Sequence, residues 1–214
     1  METTAEIIER VGLIPVLRAR SVAQGRAVVD AMIAGGVTIV EVTMTVPGAI
    51  EVLRKLAQSF PEMIVGAGTV LDKGTAERCL DAGATFLTST GFVPEVIESA
   101  LKRDVVAIPG ALTPTEVIAA WKSGADFVKI YPTTPVGGDM YIRSLKVPLP
   151  QVKLIAAGGV NQQNATNFIR AGASSIGVGV ELLPRDAVQR RQDHRIHELA
   201  RRFLAFVAEA RTTE

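Results

Sequence analysis

Four segments that run from a glycine into an apolar stretch carry chemically different side chains at one offset. Counting five residues on from Gly36, Gly83, Gly124 and Gly172 gives Glu41, Thr88, Lys129 and Gly177. Lys129 sits among Phe127, Val128, Ile130 and Tyr131, a run that reads as a buried strand, and burying an ammonium is costly unless something compensates. A carboxylate and a hydroxyl at the same offset supply that compensation if the four segments meet in one layer. An enclosed lysine able to release its proton attacks a carbonyl carbon and forms a Schiff base. The carboxylate then moves protons as the carbinolamine forms and as the adjacent C–C bond breaks. The iminium is its own electron sink, so this chemistry requires no metal. A structural ion pair is the competing reading. A packed apolar pair generally serves stability as well, and Gly177 leaves space that an ion pair has no use for.

The elements that must position these residues follow from the glycines. Four times a helix-like segment meets a small residue and a glycine: "AGGVTIVEV", "AGATFLTST", "SGADFVKIYP" and "AGASSIGVG". Each glycine suits a left-handed helix C-terminus. Four further apolar runs, "GLIPVLRA", "MIVGAGTV", "DVVAIPGAL" and "VKLIAAGGV", lie between them. Eight strands result, each followed by helical periodicity such as Val28, Met32 and Ile33, or Ile50, Leu53 and Leu56, or Val117, Ala120 and Trp121. Ser21 with Gln24, and Thr113 with Glu116 behind Pro114, fit helix starts. Strands apolar on both faces imply a parallel sheet covered by helices. Eight units predict an α/β fold, a (β/α)8 TIM barrel in one domain spanning 1–214, with a short N-terminal helical segment and a C-terminal helix over about 190–210. A doubly wound open sheet is the alternative, but it does not explain a two-unit repeat recurring four times. Trp121, Phe203 and Val207 read as helix packing.

The 214 residues carry 23 basic and 22 acidic side chains, a net charge of +1, so no single-sign field points to nucleic acid or an anionic membrane. The expected partner is a small molecule. Cys79 is the single cysteine, which excludes an intramolecular disulfide. The acidic start "METTAEIIER" has no signal-peptide pattern, and no apolar run reaches bilayer-spanning length; a cytoplasmic protein is expected. His194 and His197 fall on the C-terminal helix, where solvated positions are the expectation.

Barrels commonly hold an anion in the last two strand-to-helix loops, here "AAGGVNQQN" and "GVGVELLP", where Gly158, Gly159 and Gly179 admit close backbone approach. Tight turns would use the same glycines. Arg18, ending strand one, either clamps a carboxylate through its planar fork or is a solvated loop residue. Thr43, Thr45, Thr69, Ser89 and Thr90 lie at or beyond strand ends, where hydroxyls face a ligand or cap a helix.

With "VLRA", "GGVTIVEVTMTVP", "VGAGTV", "IPGALTPTE", "FVKIYP" and "AAGGV" in this order from Leu13 to Leu183, the chain resembles the 2-keto-3-deoxy-6-phosphogluconate (KDPG) and 4-hydroxy-2-oxoglutarate (KHG) aldolase family. The resemblance implies a homotrimer of barrels that splits a phosphorylated 2-keto-3-deoxy sugar acid into pyruvate and glyceraldehyde 3-phosphate without cofactor or metal. It implies Lys129 as the Schiff-base lysine and Glu41 as the general acid/base. Arg18, Thr69 and Thr45 fall to the pyruvate carboxylate, Ser89 and Thr90 to the aldehyde side, and Gly158, Gly159, Gly179 and Val180 to the phosphate. Three positions depart from the family pattern. Thr45 stands where some members have an arginine, Thr90 where a proline is usual, and Val180 where a serine often binds phosphate. An unphosphorylated substrate such as KHG, or the galactonate epimer, is the alternative; a non-catalytic keto-acid-binding barrel is the alternative of another class.

Overall fold

A computed structural model describes residues 2–212. In chain order the elements are α1 (Thr4–Val11), β1 (Leu13–Leu17), α2 (Val22–Ala34), β2 (Ile39–Thr43), α3 (Ala49–Ser59), β3 (Ile64–Gly68), α4 (Lys73–Asp81), β4 (Phe86–Thr88), α5 (Pro94–Leu101), β5 (Val106–Ile108), β6 (Gly110–Ala111), α6 (Pro114–Lys122), β7 (Val128–Ile130), α7 (Asp139–Lys146), β8 (Leu154–Ala157), α8 (Ala165–Arg170), β9 (Ala173–Val178), α9 (Arg185–Gln189) and α10 (Asp193–Thr212).

The strands pair in parallel in the order β5-β4-β3-β2-β1-β9-β8-β7-β6. The segments at the two ends of this order, β5 and β6, are consecutive in the chain and separated by Pro109 alone. Proline has no N–H for the ladder, so it divides one barrel strand into a half that pairs with β4 and a half that pairs with β7. The ring is thereby closed, and the architecture is a (β/α)8 barrel of eight staves.

The helix ends follow the glycine pattern. Gly36, Gly83, Gly124 and Gly172 all adopt left-handed backbone, φ +89, +98, +91 and +100. Gly35 stays right-handed at φ −81, so Gly36 is the correct origin for counting into β2. Thr113 and Glu116 form a reciprocal capping box at α6. Ser21 caps α2, but the Gln24 side chain accepts from the N–H of Arg20 rather than returning to Ser21.

Successive strand residues face opposite sides. Ile14, Ile39, Phe86, Val106, Ile108, Phe127 and Ile155 point inward and fill the barrel below its mouth, with Ile8 of α1 joining them. The larger apolar layer lies between strands and helices. Two apolar residues counted as helix packing are instead exposed: Ile33 (43%) and Trp121 (40%). Each follows the residue that does face the sheet, Met32 and Ala120, and one helical step of 100° turns it to the surface. Phe203 and Val207 are buried in α10. That helix begins at Asp193, and α9 precedes it as a separate short element.

Candidate active site

The offset that singled out four residues corresponds to one position in the barrel. Glu41 lies at the centre of β2, Lys129 at the centre of β7, Thr88 at the end of β4 and Gly177 in β9. Each stands two residues beyond an inward partner: Ile39, Phe86, Phe127 and Ser175 respectively. Side chains from alternate staves share a layer in such barrels. Lys129 Nζ lies 3.4 Å from Glu41 Oε2 and 3.4 Å from Thr88 Oγ1. The Thr88 hydroxyl donates to Glu41 Oε2 at 3.0 Å. Lys129 is 6% exposed and Glu41 3%, so the three polar groups compensate one another away from bulk water.

Gly68 makes this arrangement possible. A Cβ at residue 68 would lie 1.8 Å from Glu41 Oε1 and 2.2 Å from its Cδ. The carboxylate therefore rests on bare backbone of the neighbouring strand, and Gly68 is a site residue that the offset argument does not reach.

Above the layer opens a cavity of about 610 Å³, lined by Lys129 and Glu41 and by Arg18, Thr69, Thr90, Tyr131, Thr134, Gly158, Gly159, Gly177, Gly179, Val180 and Arg185 among others. Its position at the C-terminal strand ends is where barrel enzymes work. Thr69 enters it from an unusual backbone, φ +57, a left-handed conformation that β-branched residues seldom adopt. Its hydroxyl is 3.0 Å from that of Thr43, which is 3.4 Å from that of Thr45. Tyr131 places its ring 5.8 Å from Lys129 Nζ. Gly158 and Gly159 have φ +83 and +93 and pack on the turn after β7; a Cβ on Gly159 would meet Thr134 Oγ1 at 2.2 Å. Their lack of a side chain is thus demanded by chain packing as well as being open to an anion.

Two sequence candidates lie elsewhere. Ser89 is buried, and its hydroxyl donates to the carbonyl of Gly91 and accepts from the N–H of Gly110, holding the turn after β4 rather than facing the cavity. Thr45 is exposed on an adjoining groove and reaches the cavity only through Thr43 and Thr69. Conversely, Tyr131, Thr134, Glu181 and Arg185 line the cavity without having been singled out. Tyr131 ends the same "VKIYP" run as Lys129, which was the available signal; Arg185 follows a loop with no periodicity to read. Among the described residues, no three His, Cys, Asp or Glu side chains are grouped to hold a metal, and no helix is long and apolar enough to cross a membrane.

A (β/α)8 barrel whose buried lysine meets a carboxylate at the floor of an open cavity defines a class I aldolase. The family model for KDPG and KHG aldolases matches residues 4–199. The KHG/KDPG aldolase of Escherichia coli K12 is 30% identical over 201 residues, 94% of each chain. A probable 2-dehydro-3-deoxy-6-phosphogalactonate aldolase of Rhizobium meliloti is 33% identical over 172 residues, 79% of this chain and 81% of that one. The crystal structure of the Legionella pneumophila KDPG aldolase, with pyruvate captured as a covalent carbinolamine intermediate, is similar at a TM-score of 0.87 and 28% identity, covering 92% of this chain and 96% of that one. The chain belongs to the KDPG and KHG aldolase family.

Proposed function

We propose that this aldolase cleaves 2-keto-3-deoxy-6-phosphogluconate to pyruvate and glyceraldehyde 3-phosphate through a Schiff base on Lys129. The observation that carries the reading is the Lys129–Glu41–Thr88 triangle, buried at the floor of a cavity that is also lined by Arg18 and the glycine-rich loops. Lys129 Nζ attacks the C2 carbonyl, and the resulting carbinolamine loses water to give the iminium. Glu41 accepts the C4 hydroxyl proton as the C3–C4 bond breaks; the bonding pair moves to C3 and into the iminium, leaving an enamine. The aldehyde departs, C3 takes up a proton, and water releases pyruvate and restores the amine. Thr88 steadies the carboxylate through its 3.0 Å hydrogen bond. Arg18 and Thr69 receive the keto-acid carboxylate, and Thr90 the aldehyde portion. The backbone of Gly158, Gly159, Gly179 and Val180 borders the phosphate end. The resemblance adds a homotrimeric assembly, for which the exposed Met140 (73%) and Val147 (79%) offer apolar surface.

A second reading keeps the same chemistry on unphosphorylated KHG. It is favoured by the far wall, where Val180 offers no hydroxyl to a phosphate. Comparing kcat/KM on KDPG, its C4 epimer and KHG tests the choice. Preference for KDPG is expected, and equal or better turnover of KHG would overturn it.

A further inference from the structure

Lys129 and Tyr131 are two residues apart, and strand alternation turns both to the same side. The alternation reaches Tyr131, one residue past β7, because the ladder does. Its N–H donates to the carbonyl of Ala111 at 3.1 Å, continuing the pairing of Gly110 with Lys129 and of Ala111 with Ile130. The Tyr131 ring therefore stands in the cavity lining beyond the lysine, with Nζ over the ring at 5.8 Å from its centroid. Its edge rests on bare backbone. A Cβ on Gly158 would lie 3.0 Å from Tyr131 Cδ2 and 2.8 Å from Pro132 Cα, so a larger residue there would displace the ring or the turn that carries it.

The layer below Lys129, with Ile14 and Ile155, is apolar, and Glu41 and Thr88 each lie 3.4 Å from Nζ on its polar side. The resting ammonium has three N–H donors for those two partners. The reaction removes them. The carbinolamine is uncharged; when it loses water, with the proton supplied by protonated Glu41, the positive charge returns to a nitrogen that keeps a single N–H. Glu41 is then taken up with the C4 hydroxyl proton and becomes neutral on accepting it. The face of an aromatic ring attracts a cation through its quadrupole. That attraction depends neither on the N–H groups that were lost nor on the protonation of Glu41.

We infer that Tyr131 is a positioning residue whose ring holds the Schiff-base nitrogen in its cationic form, favouring the iminium over the neutral carbinolamine and enamine that precede and follow it. This rests on the aldolase reading above.

The experiment replaces Tyr131 by Phe, by phenylalanines carrying one, two and three ring fluorines, and by Leu. Fluorine withdraws charge from the ring face with little change of shape, and so separates electrostatics from packing. Each protein is equilibrated with saturating pyruvate and quenched rapidly into excess borohydride, and the ratio of reduced to unreduced Lys129 is read by mass as iminium against the neutral forms. A cation gains more from a ring as the pair loses water; Lys129 is buried but Tyr131 is 39% exposed, which sets the expected loss at about fivefold when the ring's attraction is abolished. Tyr131→Phe should hold the ratio within about twofold of wild type, the fluorinated rings should lower it step by step, and Tyr131→Leu should reach the full loss. The fluorinated series decides the matter even if Tyr131→Leu fails to fold. A ratio indifferent to fluorine overturns the inference, as does a full loss in Tyr131→Phe, which would place the effect on the hydroxyl. An adduct on Lys129 that ignores the ring overturns this inference alone, whereas no adduct in the wild type overturns the aldolase reading and this one with it.

Discussion

Substituting Gly68 by alanine perturbs the acid/base without touching it. A real Cβ keeps at least about 3.0 Å from its neighbours, and the built one falls 1.8 Å from Glu41 Oε1, so the carboxylate must retreat by about 1.2 Å, the difference between the two. The obstacle is not a flexible tip alone, since Cδ and Cγ lie at 2.2 and 2.6 Å from the same point. Backbone strain does not contribute, because Gly68 is not among the residues with positive φ. Glu41 Oε2 is 3.4 Å from Lys129 Nζ and 3.0 Å from Thr88 Oγ1 at the start, and a displacement of that size disturbs both contacts. Misplacement of a reacting group by about 1 Å costs on the order of 100-fold, and full loss of a general acid/base about 10²–10⁴-fold. Steady-state cleavage assays on Gly68→Ala should therefore show kcat lowered by about 10²-fold or more with a smaller change in KM, in a protein whose circular dichroism is unchanged. A variant that keeps within about threefold of wild-type kcat would refute the claim that Glu41 acts from its seat on Gly68.

Glu41→Gln should still accept pyruvate slowly on Lys129 while losing about 10²–10⁴-fold in cleavage rate; an unimpaired rate measured by coupled pyruvate release contradicts its role. Burial pushes the Cys79 thiol up to about 11. At pH 8 only about one in a thousand is thiolate in the folded protein, and iodoacetamide should label it far more slowly than in urea. The unfolded thiol ionises near its ordinary value, so between roughly pH 8.5 and 11 the unfolded state binds fewer protons and stability falls as pH rises, which urea midpoints across that window will show. The Ser175 hydroxyl is buried inside the barrel with no hydrogen-bond partner among the described residues. Ser175→Ala should leave Tm unchanged or raise it by about 2–4 °C for each kcal/mol gained, and a fall of that size in a thermal melt would show an unrecognised partner.

How much of this was legible in the sequence depended on where each residue lies. Within strands the two-residue alternation is strict, so an offset from the capping glycine placed Glu41, Thr88, Lys129 and Gly177 in one layer before any coordinates. The only arbitrary step, Gly36 over Gly35, is decided by their φ angles of +89 and −81. Beyond the strand ends that alternation lapses. Thr69 enters the cavity because its backbone turns left-handed, whereas Ser89, one residue past β4, is captured by the carbonyl of Gly91. Gly68 escaped notice because its importance is a contact with another strand, and residue type does not reveal which neighbour needs the space. Trp121 shows the same limit on a helix: apolar character assigns it to the core, yet Ala120 occupies the sheet-facing position beside it.

The proposed chemistry stands or falls on which atom captures the keto acid. Incubating the protein with pyruvate and borohydride, then mapping the peptides by mass, should place one reduced adduct on Lys129 and on none of the other lysines, with activity lost in step. An adduct elsewhere, or full activity after stoichiometric modification of Lys129, would contradict it.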